Sequence, residues 1–417
     1  MLVATFLVAA LVGSGHFLGA QGQACKLTLQ TDLDSTKEPL VLAVKTTQIR
    51  GRQKVEQLEI ARPEVEKREG VITIDETQSL IVACPGPRNN NRGSGEQSAY
   101  VKCKGGKLTV GNRPATKETL SCTNSVAYSS VMVTDDTCGS GDDTGVIVQL
   151  GYQLDDKSWF PLIDVCHNIE RSVTLYAAHY LYGQSLKGAV KSNDRRKFSR
   201  GPKVLFPNVS PDSVYTRKGQ EKAFDRILGD DGHKLYINNT SFLARGHLAP
   251  DADFIYNSGQ LLTYYYVNVA GQWQNFNAGN WLIIENAVRD LAVKVDETLR
   301  VFTGTYGILK LTNSNGDQRM IYLEPTKKLI AVPEVYWKLV QHPVTKSCTV
   351  VVGSNNVFLT QPPTPICSTA TPEGWPTLTN LAKGYVYYCD YDSFKKTVPY
   401  VPDVDCKDLF EFPEKNK

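Results

Sequence analysis

The chain has 417 residues, 41% hydrophobic and 21% charged, ordinary proportions for a globular protein with one large domain or two modest ones. A core of that size needs no special staples. Net charge is +3, from 46 basic against 43 acidic residues, too mild to mark a nucleic-acid binder by itself. Any polyanion site must come from local clustering.

Residues 1–24 contain no Asp, Glu, Lys or Arg, and the apolar run Leu2–Val12 is too short to span a bilayer. With Gly19, Ala20 and Ala24 following, the segment reads as a secretory signal peptide without the usual basic start, cleaved between Ala20 and Ala24. No later run of about 18 apolar residues appears, so a secreted, extracellular chain without membrane attachment is expected.

Ten cysteines follow the leader: Cys25, Cys84, Cys103, Cys122, Cys138, Cys166, Cys348, Cys367, Cys389 and Cys406. An even count in a secreted chain implies disulfides, and no CxxC spacing argues for zinc. The pairing stays open. The long segment between Cys166 and Cys348 holds no cysteine and must fold on packing alone.

Residues 25–146 carry short apolar runs such as Leu40–Val44, Gly70–Ile74 and Ser79–Ala83, broken by Gly, Asn and Pro. They predict a β-rich, disulfide-tied module. Pro85–Gly95 reads as a loop, and Cys138–Gly145 as a linker or turn near a domain boundary. Residues 147–417 form the second predicted unit. In it, Thr174–Tyr182 and Leu262–Val269 read as strands. A helix is predicted from about Asn280, with Trp281, Ile284, Val288 and Leu291 as its buried stripe. Arg300–Thr303 reads as a strand, and Leu329–Val340 as paired strands around Pro333. Sequons at Asn208, Asn238 and Asn239 suggest a glycoprotein. Lys187, Lys191, Arg195, Arg196, Lys197, Arg200 and Lys203, interrupted only by Asp194, form a basic run. Such a run is either a solvated loop or a track for a phosphate backbone. The Tyr264–Tyr266 run could stack bases, though at least one ring is expected in the core.

The richest stretch is Ser241–Pro250, continuing to Phe254, with Arg245, Gly246, His247, Leu248 and Ala252. It resembles the signature of the DNA/RNA non-specific endonucleases, the ββα-metal nucleases that include the Serratia nuclease and endonuclease G. Asn268, Asn277, Glu285 and Arg289 fall at that family's downstream spacing, and Gln272, Gly279 and Trp281 fit between them. The likeness runs loosely from Cys166 to Val340 and is nearest to secreted arthropod nucleases. It implies an α+β fold, a ββα-metal core on a mixed or antiparallel sheet, beside the N-terminal β-rich module. It implies Mg²⁺, with Mn²⁺ as substitute, held directly by Asn277 alone. Glu285 would hold a metal-bound water, and Arg289 would contact phosphate; by its own chemistry, the planar fork of Arg245 suits it to grip the scissile phosphate as well. Products would be 5′-phosphorylated DNA and/or RNA fragments, duplexes included.

Chemistry agrees with that resemblance. Phosphodiester hydrolysis needs a base for water, neutralisation of phosphate charge and help for the leaving oxygen. A neutral imidazole can accept water's proton at ordinary pH, which nominates His247. The bland reading of His247 is a packed core histidine. For Asn277 it is a helix cap, for Glu285 and Arg289 an i,i+4 surface pair, and for Asn268 a strand-end turn residue. Ala244 stands where the family usually has Asp. That departure leaves a rival reading, a catalytically weak nuclease-like protein that binds nucleic acid. A secreted phosphodiesterase acting on small nucleotides is a second rival. The partner expected is nucleic acid gripped through its phosphates, with no membrane and no obligate protein partner.

Overall fold

The computed structural model describes residues 23–48, 54–126, 130–155, 157–191 and 196–413. The signal-peptide reading therefore lies almost wholly outside the described residues, as do Asp194 and Arg195 of the basic run.

The N-terminal module is β-rich, as its apolar runs predict. Strands Leu40–Gln48, Glu69–Ile74 and Ser79–Ala83 contain the three runs singled out in the sequence. They belong to a six-stranded and a three-stranded antiparallel sheet. Disulfides Cys25–Cys103 and Cys84–Cys122 tie the module.

The second unit is built on a nine-stranded sheet. Eight strands, Ser130–Ser140, Asp143–Gln153, Trp159–Asn168, Val173–Tyr182, Thr298–Tyr306, Val335–Gln341, Ser347–Ser354 and Val386–Cys389, pair antiparallel in that order. Asp408–Leu409 adds a parallel edge beside Ser347–Ser354. The expected boundary at 146 falls inside a strand. Cys138–Gly145 is the tip of a long hairpin belonging to this sheet, pinned by Cys138–Cys166. The Gly and Asp residues that suggested a linker make its turn. Cys348–Cys406 and Cys367–Cys389 tie the C-terminal part, so no bridge crosses the span from Cys166 to Cys348.

Six elements carry the rest of the argument: β1 (Leu243–His247), α1 (Asn257–Leu262), β2 (Val269–Trp273), α2 (Gln274–Asn277), α3 (Asn280–Val295) and β3 (Val335–Gln341). β1 and β2 pair antiparallel, and the chain runs from β2 through α2 into α3, giving a ββα unit. The predicted stripe of α3 is real: Trp281, Ile284, Val288 and Leu291 are all buried. Two strand readings fail. Leu262–Val269 is a helix end, a single parallel bridge of Tyr265 to Ser199 and a 3-10 turn at Tyr266–Asn268, with only Val269 beginning a strand. Leu329–Ala331 and Val335–Gln341 do flank Pro333, but each pairs with other strands.

The two units share one hydrophobic core, and their backbones touch. A Cβ on Gly70 would lie 2.4 Å from the Gly188 carbonyl oxygen, so only glycine allows this approach. Tyr256 Oη donates to the Ala61 carbonyl at 2.6 Å, and Arg196 to Ser125 Oγ at 2.7 Å. Glu38 is buried at the N-terminus of α1, accepting from the Ser258 amide at 3.0 Å. Burial pushes its carboxyl up from 4.5 to about 8, against the pull of the Ser258 and Asn257 amides. Between those values the folded chain keeps a proton that the unfolded chain has released. The stability it contributes is therefore full below 4.5 and lost as the pH climbs to 8. Glu38→Gln should match the wild type near pH 5 and exceed it above pH 8 by on the order of a few kcal/mol. Urea unfolding at the two pH values measures this.

Candidate active site

Arg245 and His247 are two apart on β1, so their side chains share one face. Gly246 between them turns its Cα toward β2. A Cβ there would meet Gln272 Oε1 at 2.4 Å and the Tyr336 hydroxyl at 2.9 Å. Glycine is thus the residue that lets the strand bearing the Arg–His pair sit close to its neighbour.

Aromatic rings prop that pair. The His247 ring lies 5.2 Å from Phe198 and 5.3 Å, edge-on, from Tyr264. The Arg245 guanidinium sits 5.6–5.8 Å from the rings of Phe198, Tyr215 and Tyr266, and its Nε donates to Tyr266 Oη at 3.2 Å. Cation–π contact with several rings fixes a long side chain without spending its charge. Tyr264, Tyr265 and Tyr266 are all buried, so the run packs around the site and offers no stacking surface for bases.

Asn268 is wholly buried and committed to backbone. Its Oδ1 accepts from the Ala249 amide at 2.9 Å, and its Nδ2 donates to the carbonyls of Ala249 and Thr263 at 2.8 and 3.0 Å. The Leu248 amide also donates to the Asn268 carbonyl at 2.9 Å. The side chain therefore clips the chain just beyond His247 to the start of β2. It precedes a strand instead of ending one.

Asn277 closes α2. The N-cap of α3 is Gly279, which makes no side-chain cap bond, so Asn277 does not cap that helix. Asn280, the first residue of α3, anchors the helix start by donating to the Gly384 carbonyl at 2.6 Å. The Asn277 carboxamide has no hydrogen-bond partner among the described residues.

Glu285 and Arg289 lie one turn apart on α3, but they do not form a simple surface pair. Arg289 Nη1 donates to Asp253 Oδ1 at 2.7 Å and Nη2 to Asn286 Oδ1 at 2.8 Å. Asp253 is buried, and its Oδ2 accepts from His179 Nε2 at 2.8 Å. Burial works to raise the Asp253 carboxyl. The His179 hydrogen bond and the charges of Arg289, His179 and Lys338 outweigh it and hold the group down to about 2. Glu285 goes the other way. Burial pushes it up to about 7, with Asp253 and Asp251 adding to the rise and Lys338 and Arg289 opposing it. Asp253, His179 and Lys338 were not singled out in the sequence. Lys338 left a readable trace there, a lone charge inside the apolar run Val335–Val340.

Ala244 lies directly opposite Gln272 in the β1–β2 register. The Gln272 carboxamide and the Tyr336 hydroxyl are buried without a hydrogen-bond partner among the described residues. Of the basic run, Lys187, Lys191, Lys197 and Lys203 are exposed, whereas Arg196 and Arg200 are turned onto Ser125 and the Phe206 carbonyl.

A profile of the family described as DNA/RNA non-specific endonuclease matches residues 143–394. A "Salivary endonuclease" of Lutzomyia longipalpis is 30% identical over 279 residues, which is 67% of this chain and 61% of that protein. The chain thus spans less than two thirds of that relative. "Salivary protein Tsal2A" of Glossina morsitans morsitans is 25% identical over 398 residues, 93% of this chain and 95% of that protein. Among solved structures, a chain of the EndoG/EndoGI complex aligns at 17% identity with a TM-score of 0.35, covering 58% of this chain and 82% of that one.

The Asn268 clip predicts a separation of effects. Asn268→Ala leaves buried amide and carbonyl groups unpaired, costing on the order of 2–4 kcal/mol. If His247 acts chemically, activity should fall through kcat with KM little changed, because the side chain clips the chain two residues beyond His247. Chemical denaturation and steady-state kinetics test the two halves.

Proposed function

Because the chain belongs to the DNA/RNA non-specific endonuclease family, we propose that it is a secreted, metal-dependent endonuclease. It would hydrolyse the phosphodiester bonds of DNA and/or RNA to 5′-phosphorylated products. One observation carries the reading. Arg245 and His247 share a face of β1, and β1 pairs with the strand that leads straight into the helix bearing Glu285 and Arg289.

The donors present suit a hard, largely hydrated cation. Among the described residues no three His, Cys, Asp or Glu side chains cluster as a metal cage. Asn277 offers an uncommitted carboxamide oxygen, and Glu285 stands two turns further along the same segment. A single direct protein oxygen with a carboxylate holding a coordinated water fits Mg²⁺, with Mn²⁺ as substitute. When bound, the ion supplies neutralisation of the charge that builds on the phosphate and the leaving 3′ oxygen.

The chain's own residues do the rest. The His247 imidazole takes a proton from the attacking water. Arg245 grips a phosphate oxygen with the guanidinium that its three rings hold in place. Arg289 keeps one arm on Asp253, and that anchor orients the guanidinium toward the substrate backbone. All these contacts concern phosphate, which explains why base sequence would matter little.

Secretion is supported by the uncharged apolar leader, by five disulfides with no free cysteine among the described residues, and by exposed sequon asparagines at 208, 238 and 239. No helix among the described residues is long and apolar enough to cross a membrane.

Nicking of a closed circular plasmid tests the activity, since a circle has no ends for an exonuclease and small-nucleotide phosphodiesterases leave it intact. Cleavage is expected with Mg²⁺ and should vanish with chelator. His247→Ala should lower kcat at least about 100-fold. Asn277→Ala should raise the Mg²⁺ concentration needed for half-maximal rate. Binding without cutting by the wild type, or cutting that survives both chelator and His247→Ala, overturns the assignment.

A further inference from the structure

Every residue of β3 is buried, and Lys338 in its middle exposes 0% of its surface. An ammonium taken wholly out of water is strongly disfavoured unless negative charge and hydrogen bonds meet it. Lys338 Nζ donates to Thr303 Oγ1 at 2.5 Å, the residue directly across the sheet from it. The same nitrogen lies 5.6 Å from the Trp281 ring centre. Trp281, Glu285 and Arg289 follow at intervals of four, so they form one ridge along α3. The ammonium sits beneath the first residue of that ridge. The buried Asp253 carboxylate holds the last, at 2.7 Å from Arg289. Glu285 stands between them.

We propose, resting on the nuclease reading above, that Lys338 is a positioning residue for Glu285. From beneath α3 it offsets the negative charge of the buried Asp253 and the half-buried Glu285, and so keeps the Glu285 side chain charged and aimed at the substrate face. Three carboxylates, Asp251, Asp253 and Glu285, face two cations there, Arg289 and Lys338. Arg289 makes its direct ion pair with Asp253. Lys338 is therefore the cation left for Glu285, and its field opposes the effect of burial on that carboxyl. Its direct hydrogen bond goes to Thr303, so it acts on Glu285 through space. The charged and titratable groups bearing on Glu285 are Lys338 from the sheet, Arg289 from the helix, and Asp253 and Asp251 from the segment after His247. A neutral side chain at 338 would leave three carboxylates facing one guanidinium.

A double-mutant cycle on stability, joined to kinetics, tests this. K338M, E285Q and K338M/E285Q are unfolded in urea at pH 7. K338M alone should lower the midpoint most, and adding E285Q should recover part of the loss, because removing both charges leaves no orphan. In plasmid nicking, K338M should lose on the order of 10- to 100-fold in kcat with KM held, and K338R should regain part of it. A purely structural lysine predicts additive midpoints and unchanged kcat in whatever folds. Either of those results overturns the proposal. If K338M does not fold, T303V takes its place. It keeps the ammonium and removes its tether, and should lower kcat with no change in KM; wild-type kcat in T303V then overturns the proposal. A wild-type chain that cuts nothing, with the charge coupling intact, would instead overturn the nuclease reading while leaving the Lys338–Glu285 link standing.

Discussion

A carboxylate shut away from water has to be neutralised where it stands, and Asp253 is the point at which this molecule meets that constraint. His179 reaches it from the large sheet and Arg289 from α3, at 2.8 and 2.7 Å. Asp253 itself lies six residues beyond His247 on the same stretch of chain. One buried anion thus ties three pieces together: the sheet, the helix and the segment that carries the imidazole. With its carboxyl held down to about 2, the tie stays charged at any pH well above that value.

The segment that bears the site holds no disulfide of its own. Bridges fasten the chain on either side of it, at Cys138–Cys166 and Cys348–Cys406, while residues 167–347 depend on packing and buried polar contacts. Two buried asparagines carry part of that load. Asn268 spends both ends of its carboxamide on backbone, and Asn355 does likewise on the Trp273 amide and the carbonyls of Gly271 and Pro333. The N-terminal module adds to this support. Glu38 sits on α1, and α1 follows directly from the Asp253 segment. The module is therefore continuous in packing with the site-bearing unit, so its removal would expose core as well as delete surface.

What the sequence made legible follows from how local each signal is. The α3 stripe repeats every three to four residues, and helical spacing alone places Trp281, Ile284, Val288 and Leu291 on one side. Glu285 and Arg289 then fall beside it without further information. Arg245 and His247 share a face because a strand alternates. The failures are non-local. Leu262–Val269 has the composition of a strand, yet only Tyr265 finds a strand-type partner, in Ser199, while the Asn268 carboxamide holds the Thr263 carbonyl and the chain turns at Tyr266–Asn268. The Cys138–Gly145 stretch looks like a linker, yet it is the tip of a hairpin whose partner strand is fixed by a disulfide. Asp253, His179 and Lys338 come from three separate stretches. Their meeting depends on the order of strands in the sheet, which no window of sequence contains.

Ala244 can be read in the same terms. Directly across from it, Gln272 is buried with both ends of its carboxamide unpaired, and the Tyr336 hydroxyl nearby is unpaired as well. Buried polar atoms without partners are costly, and they mark a place where a polar group would be accommodated. An acceptor at position 244 would face the Gln272 amide, which is able to donate. The alanine therefore removes an acceptor from a surface still equipped to receive one. On the opposite face of β1, however, Arg245 and His247 are held by the rings of Phe198, Tyr215, Tyr264 and Tyr266, which need no help from that side. Aromatic packing on one face of the strand holds the geometry of the Arg–His pair without help from polar contacts on the other, which is a physical reason for the proposed nuclease site to tolerate alanine at 244.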